Sequence, residues 1–286
     1  MKPDQWVLMG PGHEAVMREK RERLAAFPRL YYRTLPGSLA AQGELRERVI
    51  AHLASDYPEH FERIGSRVNS RGTGVECDLT DHSIEPLLQL SNLIEEDFML
   101  IEEVDGAPRI TAASNAYSSS GRLVASVGRD IEWAHQPVPG LTRALGARIN
   151  RVLDSVHTAT PCERFNWQLT PMSTIFFPHD DPHAANAAAM HGVCRSLCEN
   201  PDRAGDLLWI RVERQTLSRL PESRAVAFSL HTYSDPLSSL RTDAESVRAM
   251  LALLRAYSEE RWKYSEMDIV REPVIAWLES VANESA

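Results

Sequence analysis

Three charged residues set into one apolar strand are the first candidates for chemistry. The stretch 205–237 reads as two strands, 207–216 and 224–233, joined by a polar turn. The first carries Arg211, Glu213 and Arg214 among Leu208, Ile210 and Val212. Burying charge is unfavourable unless the charge is paired or solvated. Period-two alternation puts Arg211, Glu213 and Gln215 on one face. Val212, Arg214 and Thr216 fall on the other, which continues the apolar side of Leu208 and Ile210. Arg214 is therefore expected to project inward, where a guanidinium can donate to a bound oxygen species or a cofactor carboxylate. Glu213 would orient it or pair with Arg211. The competing reading is a structural ion-pair network that holds the sheet against N-terminal helices.

His135 is the second candidate. Leu123, Val127, Ile131 and His135 recur every four residues, so the spacing predicts a helix over 122–135 with these side chains along one face. Prolines follow at once and stop it. A histidine at the end of such a stripe is either a core residue satisfied by a carbonyl and by the helix C-terminus, or an axial ligand to a flat iron cofactor between helix and sheet. The cluster His179, Asp180, Asp181, His183 offers the ligand types of a nonhaem iron centre, against a plain reading as a solvated loop before a helix. Trp167, beside Asn166 in a short strand, reads as core or as a cofactor wall. Cys194 and Cys198 lie four apart near His191 and His183, with a metal site as the sharper reading and reduced thiols as the default. There is no phosphate-binding glycine loop and no Gly-x-Ser-x-Gly elbow.

These residues need elements to hold them. Helical periodicity covers 14–26 and 38–54, the second with Leu39, Leu45, Val49, Ile50 and Leu53 near one face and Ser38 as its cap. Asp56-Tyr57-Pro58 breaks it, and Arg71-Gly-Thr-Gly74 marks a turn or hairpin. A helix is expected over 83–96. Segments 98–103 and 109–113 read as strands around an Asp105-Gly106 hairpin turn. Further helices follow over 141–157 and around 184–198, with a strand at 164–170. Two more helices, 243–257 and 266–281, come after the strand pair. The middle thus runs strand, strand, helices, strand, strand, strand. That is the element order of a PAS domain, so the expected class is α+β: a PAS-like five-stranded antiparallel sheet with helices on one face and helical extensions at both ends. The expected division is an N-terminal helical cap at 1–94, a PAS-like core at 95–237 and C-terminal helices at 238–286, packed as one compact unit.

Composition narrows the function classes. With 286 residues, 43% hydrophobic and 25% charged, the chain has the makings of a sizeable core. A net charge of −9 argues against a general nucleic-acid or anionic-membrane surface. No apolar run reaches the roughly 20 residues that span a bilayer, and residues 1–6 hold no signal-peptide core, so the expected location is the cytoplasm.

The block Arg211-Val-Glu-Arg-Gln-Thr-Leu-Ser-Arg-Leu-Pro221, followed by His231-Thr-Tyr233 and Pro236-Leu237, resembles the haem-dependent oxidative N-demethylase family. Matching pieces recur in order: Asp56-Tyr57-Pro58, Glu95-Glu96-Asp97-Phe98, Ala134-His135-Gln-Pro137-Val138-Pro139-Gly140, and Phe165-Asn166-Trp167. The resemblance spans roughly 45–260. It implies a PAS fold carrying haem b, O₂ activated at the iron, and oxidation of a secondary amine. Electrons would come from NADPH through a separate flavin and iron–sulfur partner, a reductase this chain does not contain. It further implies His135 as the iron ligand, Asn166 and Trp167 as cofactor-binding residues, Arg214 and Glu213 on the oxygen and substrate side, and Arg211 as their support. At 114–122 the chain departs from the family pattern, which leaves the substrate open. Two alternatives stand beside this reading: a noncatalytic haem-binding PAS sensor, and a diverged haem enzyme of a biosynthetic pathway.

Overall fold

The computed structural model describes residues 6–117, 122–135, 146–158, 161–177 and 182–284. The fold is mixed α/β. A six-stranded antiparallel sheet is accompanied by a smaller sheet of three strands. The chain forms two compact units. The first comprises Met1–Pro137, Leu141–Arg164 and Arg214–His231, and the second Val138–Gly140, Phe165–Glu213 and Thr232–Ala286.

In the first unit, helix α1 (His13–Ala26) buries His13, Met17, Lys20 and Leu24, a 3.6-period stripe in which two of the four side chains are polar. Helix α2 (Pro28–Tyr31) leads into β1 (Tyr32–Thr34). Helix α3 (Leu39–Asp56) buries Leu45, Val49, Ile50 and Leu53 as expected, but Leu39 is exposed. Six residues of α-helix rotate Leu39 about 120° away from Leu45. Ser38 does not cap α3 with its side chain. Its hydroxyl donates to the Leu35 carbonyl and accepts from Gln42 instead. The helix ends at Asp56, where the Tyr57-Pro58 break was expected.

Strands β2 (Phe61–Ile64), β3 (Arg67–Ser70) and β4 (Val75–Asp78) make the small sheet, with the Arg71–Gly74 turn between the last two. Helix α4 (Pro86–Ser91) is much shorter than the helix expected over 83–96. Strands β5 (Asp97–Val104) and β6 (Ala107–Ser114) form the expected hairpin. Asp105 and Gly106 both take positive φ, 53° and 75°, as a tight two-residue turn requires.

The single helix expected over 122–135 is two short ones, α5 (Arg122–Ala125) and α6 (Ile131–His135). Between them the backbone docks on β6: Gly128 N–H donates to the Ile110 carbonyl, Ile110 N–H donates to the Arg129 carbonyl, and Asp130 bridges Arg109. A continuous helix would keep those groups for its own ladder. Gly128 supplies the turn at φ 87°. Leu123, Val127 and Ile131 still pack into one apolar cluster with Met99, Ile110, Val124 and Val226, so the stripe is right even though its helix is broken. Helix α7 (Gly146–Ser155) follows.

Strands β7 (Cys162–Thr170), β8 (Trp209–Arg219) and β9 (Val226–Pro236) complete the large sheet, whose order is β1-β6-β5-β9-β8-β7. It therefore has six strands rather than five, because Tyr32–Thr34 adds itself to β6 at Ala112–Ser114. Three residues give no periodicity to read.

The second unit gathers α8 (Pro182–Glu199), α9 (Ala204–Leu207), α10 (Ala244–Arg255), α11 (Glu259–Tyr264) and α12 (Arg271–Glu284) around a core that includes Leu169, Met190, Leu254, Trp262 and Trp277. Asp243 caps α10 by accepting from the Glu245 and Ser246 amides.

Candidate functional site

Three consecutive acids, Glu95, Glu96 and Asp97, open β5, and all three are buried in the first unit. Such a run demands partners. Lys20, reaching from α1, is fully buried. Its ammonium lies 3.0 Å from Asp97 Oδ1 and donates to the carbonyls of Ile94, Glu95 and Glu96. Asp97 Oδ2 accepts from Asn115 Nδ2 at 2.8 Å and from the Tyr117 amide at 3.0 Å, and Lys20 also sits over the Tyr117 ring. Burial raises the Asp97 carboxyl above its ordinary range against the opposing charge of Lys20.

Glu95 and Glu96 are held differently. His13 Nδ1 is 2.7 Å from Glu95 Oε1, and the Gly10 amide donates to the same oxygen at 2.9 Å. Glu96 Oε1 accepts from the Leu8 amide at 2.6 Å and lies 3.2 Å from His231 Nδ1. The other nitrogen of His231 is 3.9 Å from Glu95 Oε2. The His231 imidazole thus spans both carboxylates. Burial by itself would lower its pKa, but the hydrogen bond and charge of Glu96, with the charge of Glu95, raise it above the usual histidine value. Glu95 is held below its ordinary range: burial pushes it up, and bonds from His13 and Gly10 with the charge of His231 outweigh that.

Arg214 of β8 belongs to the same unit. Its Nε lies 2.5 Å from Glu163 Oε1 on β7, and its Nη1 donates to the Trp6 carbonyl. Its charge acts on both His231 and Tyr57. The neighbouring pair, Arg164 and Gln215, meets at 2.6 Å. Residues 6–10 are thereby fastened at four positions by five side chains: Arg214 at Trp6, His52 and Tyr57 at Val7, Glu96 at Leu8 and Glu95 at Gly10.

In the second unit Arg211 is buried, donates to the Ile175 carbonyl at 2.7 Å and stacks over the Phe177 ring. Asn186 of α8 links Thr170 to Glu266. Asn166 is exposed, and Trp167 packs against the core of that unit.

A family model described as "Haem-dependent oxidative N-demethylase, alpha subunit-like" matches residues 1–275. The chain belongs to that family.

The alpha-subunit-like assignment makes this a relative of haem-dependent oxidative demethylase subunits, and its name points to a partner subunit. Of the residues singled out in the sequence, His135 closes α6, whose first turn is capped by Asp130 accepting from the Trp133 amide; the structure describes the backbone of His135 only. His135 and Arg214 belong to the first unit, and Glu213, Arg211, Asn166 and Trp167 to the second. Strict alternation along β8 understates its burial, because Arg211 and the run Arg214, Gln215 and Thr216 are all buried. His179, Asp180 and Asp181 lie outside the described residues, and among those described no group of three or more ligand side chains could hold a metal ion. Cys194 donates its thiol to the Ile269 carbonyl at 3.2 Å. Among the described residues no helix is long and apolar enough to cross a membrane. The sequence reading gave no role to His13, Lys20 or His231. The signal for the first two was present, since both fall on the buried stripe of α1.

Proposed function

We propose that the chain is a haem-dependent monooxygenase that oxidatively demethylates a secondary amine or a related small nitrogen compound. The observation that carries this is the family match over residues 1–275. The sheet supports it too. With β1 set aside, the order β6-β5-β9-β8-β7 is a hairpin, a helical excursion and a three-strand run whose last strand returns to the first, as a five-stranded PAS-like core would have it.

Haem b is the group we assign to the chain. His135, the last residue of the short capped α6, is the imidazole we assign to it, and Ile131 and Ala134 of the same helix pack in an apolar cluster. When bound, the haem supplies the iron at which O₂ is activated. The chain's own residues have simpler tasks. His135 holds the group, with Asn166 and Trp167 as further cofactor contacts. Arg214, fixed by Glu163 and the Trp6 carbonyl, presents a positive charge of set direction to developing negative charge on oxygen. Glu213 favours the bound ammonium form of the amine, and Arg211 supports it. Electrons come from NADPH through a flavin and iron–sulfur partner, and the setting is the cytoplasm.

The test is an absorption spectrum of the haem-reconstituted protein beside His135→Ala. A Soret band lost or shifted in the variant is expected, with aldehyde formed from a secondary amine under a surrogate electron donor. No Soret band in the native protein overturns the reading. Haem without aldehyde from any amine leaves the sensor alternative in its place.

A further inference from the structure

Two cysteines of α8 take no part in the function proposed above. Cys194 and Cys198 stand four residues apart on that helix. Four residues turn the second only about 40° from the first and bring their Cβ atoms to about 5–6 Å. Both are free thiols. Burial, then the charge of Cys198 and a hydrogen bond with its side chain, push the Cys194 thiol above its ordinary range, so the two sulfurs lie within each other's reach. Cys194 is half-buried and donates to the Ile269 carbonyl at 3.2 Å, whereas Cys198 is exposed. The pair is anchored at one sulfur and open to solvent at the other.

A disulfide does not suit this spacing. It wants Cβ atoms about 3.5–4.5 Å apart, and the helix backbone would have to yield. A metal ion between the sulfurs does suit it. Two metal–thiolate bonds of about 2.3 Å, set end to end, hold the sulfurs about 4.6 Å apart, which side chains at this Cβ separation can reach. Among the described residues no third histidine, cysteine or carboxylate joins the pair to make a metal-holding group, and His191, one turn earlier, is exposed. The helix therefore does not supply the four-ligand shell that zinc prefers. It offers two soft ligands, which is enough for a d¹⁰ ion such as Cu(I). We infer that Cys194 and Cys198 form a binding site for a soft, two-coordinate metal ion of the Cu(I) class. This site is separate from the proposed function and does not rest on it.

On binding, each S–H bond breaks as a metal–sulfur bond forms, and the proton of each thiol goes to solvent. The ion keeps its oxidation state, so neither oxidant nor reductant is consumed. Loading also takes from the Ile269 carbonyl the hydrogen that Cys194 gave it. That carbonyl belongs to the short helical turn Asp268–Val270, which packs on α8 just ahead of α12. Binding at the sulfurs is thus transmitted to this turn, whose tie to α8 is lost.

The experiment titrates the full chain, kept reduced, with Cu(I) presented as its bicinchoninate complex, whose colour falls as the protein takes the ion. Uptake of one ion per chain is expected, with a proton released from each thiol. Cys198→Ser and Cys194→Ser should each weaken binding at least about a hundredfold, since loss of a ligand costs no less than loss of a supporting contact. Cys162→Ser, which removes the other exposed cysteine, should leave binding unchanged. Cys198→Ser combined with Glu199→Cys keeps two thiols on α8 but turns them about 140° apart, and it should bind no better than Cys198→Ser alone. No uptake by the native chain overturns the inference. So does uptake that survives in Cys198→Ser or returns in the turned pair, because that is thiol affinity without a site. Folding does not cloud the result: Cys198 is exposed, and the hydroxyl of Cys194→Ser still donates to Ile269. Hydrogen exchange read by mass spectrometry gives a second measure. The amides of 268–270 should exchange faster in the loaded protein, and unchanged protection there refutes the link through Ile269.

Discussion

Lys20→Met removes a cation that is wholly enclosed, and the structure sets the size of the effect. The ammonium serves Asp97 at 3.0 Å and three main-chain carbonyls. Leaving a buried charge without its partner costs about 3–5 kcal/mol. Asp97 keeps its bonds from Asn115 and Tyr117, which moderates the loss. The three carbonyls lose a shared donor, each worth about 1 kcal/mol at most. We therefore expect destabilisation of about 4 kcal/mol, concentrated where α1 meets the start of β5. Adding Asp97→Asn should recover part of it, because the orphaned charge is then gone, although Asp97→Asn alone destabilises. Hydrogen exchange read by mass spectrometry on the α1 and β5 peptides localises the change, and urea unfolding gives its size. A loss below about 1 kcal/mol, or no recovery in the double variant, refutes the reasoning that Lys20 is the counter-charge of Asp97.

Three further outcomes are expected. The raised His231 pKa stabilises the fold most below the ordinary histidine value of 6.5 and fades as pH rises through the raised value. The lowered Glu95 pKa contributes above 4.5 and is lost as pH falls through the lowered one. Stability should thus be greatest between these pH values, and His231→Gln should flatten the alkaline limb of a melting-temperature profile; a limb of undiminished slope would contradict this. Gly205→Ala places a Cβ 2.5 Å from the Trp277 ring, so unfolding of the second unit should become easier by about 1–3 kcal/mol, measured by denaturant melts. Asp130→Ala removes the cap of α6 and should cost about 1 kcal/mol locally, read as weaker haem retention with an unaltered Soret maximum; retention equal to wild type would detach α6 from cofactor binding.

What could be read from sequence was set by period and punctuation. The Asp105-Gly106 hairpin, the end of α3 at Tyr57-Pro58 and the long strands β8 and β9 all have strong local signals, and all are present. The break between α5 and α6 was hidden because the four-residue repeat of Leu123, Val127 and Ile131 survives it, while the bonds that cause it come from Ile110 on β6, which lies outside the repeat. Of the small sheet only the turn or hairpin at Arg71–Gly74 was legible, because its strands are four residues each and largely polar outside Phe61 and Val68. The buried network was only partly legible. Arg214 stood out inside an apolar strand, whereas His13, Lys20 and His231 acquire meaning only once α1 and β9 are placed beside Glu95, Glu96 and Asp97.

The fastening of residues 6–10 also bears on how this family's members vary. At Leu8 and Gly10 the contacts to Glu96 and Glu95 are made by main-chain N–H groups, not by side chains. Sequence drift at position 8 therefore leaves the attachment intact unless it introduces proline, which has no N–H to give. Position 10 is tighter, since any Cβ there would sit 3.2 Å from Glu95 Oε2. The two acids are the readers of this segment and they read only its backbone, so a homologous sequence can look unrelated here and still close in the same way.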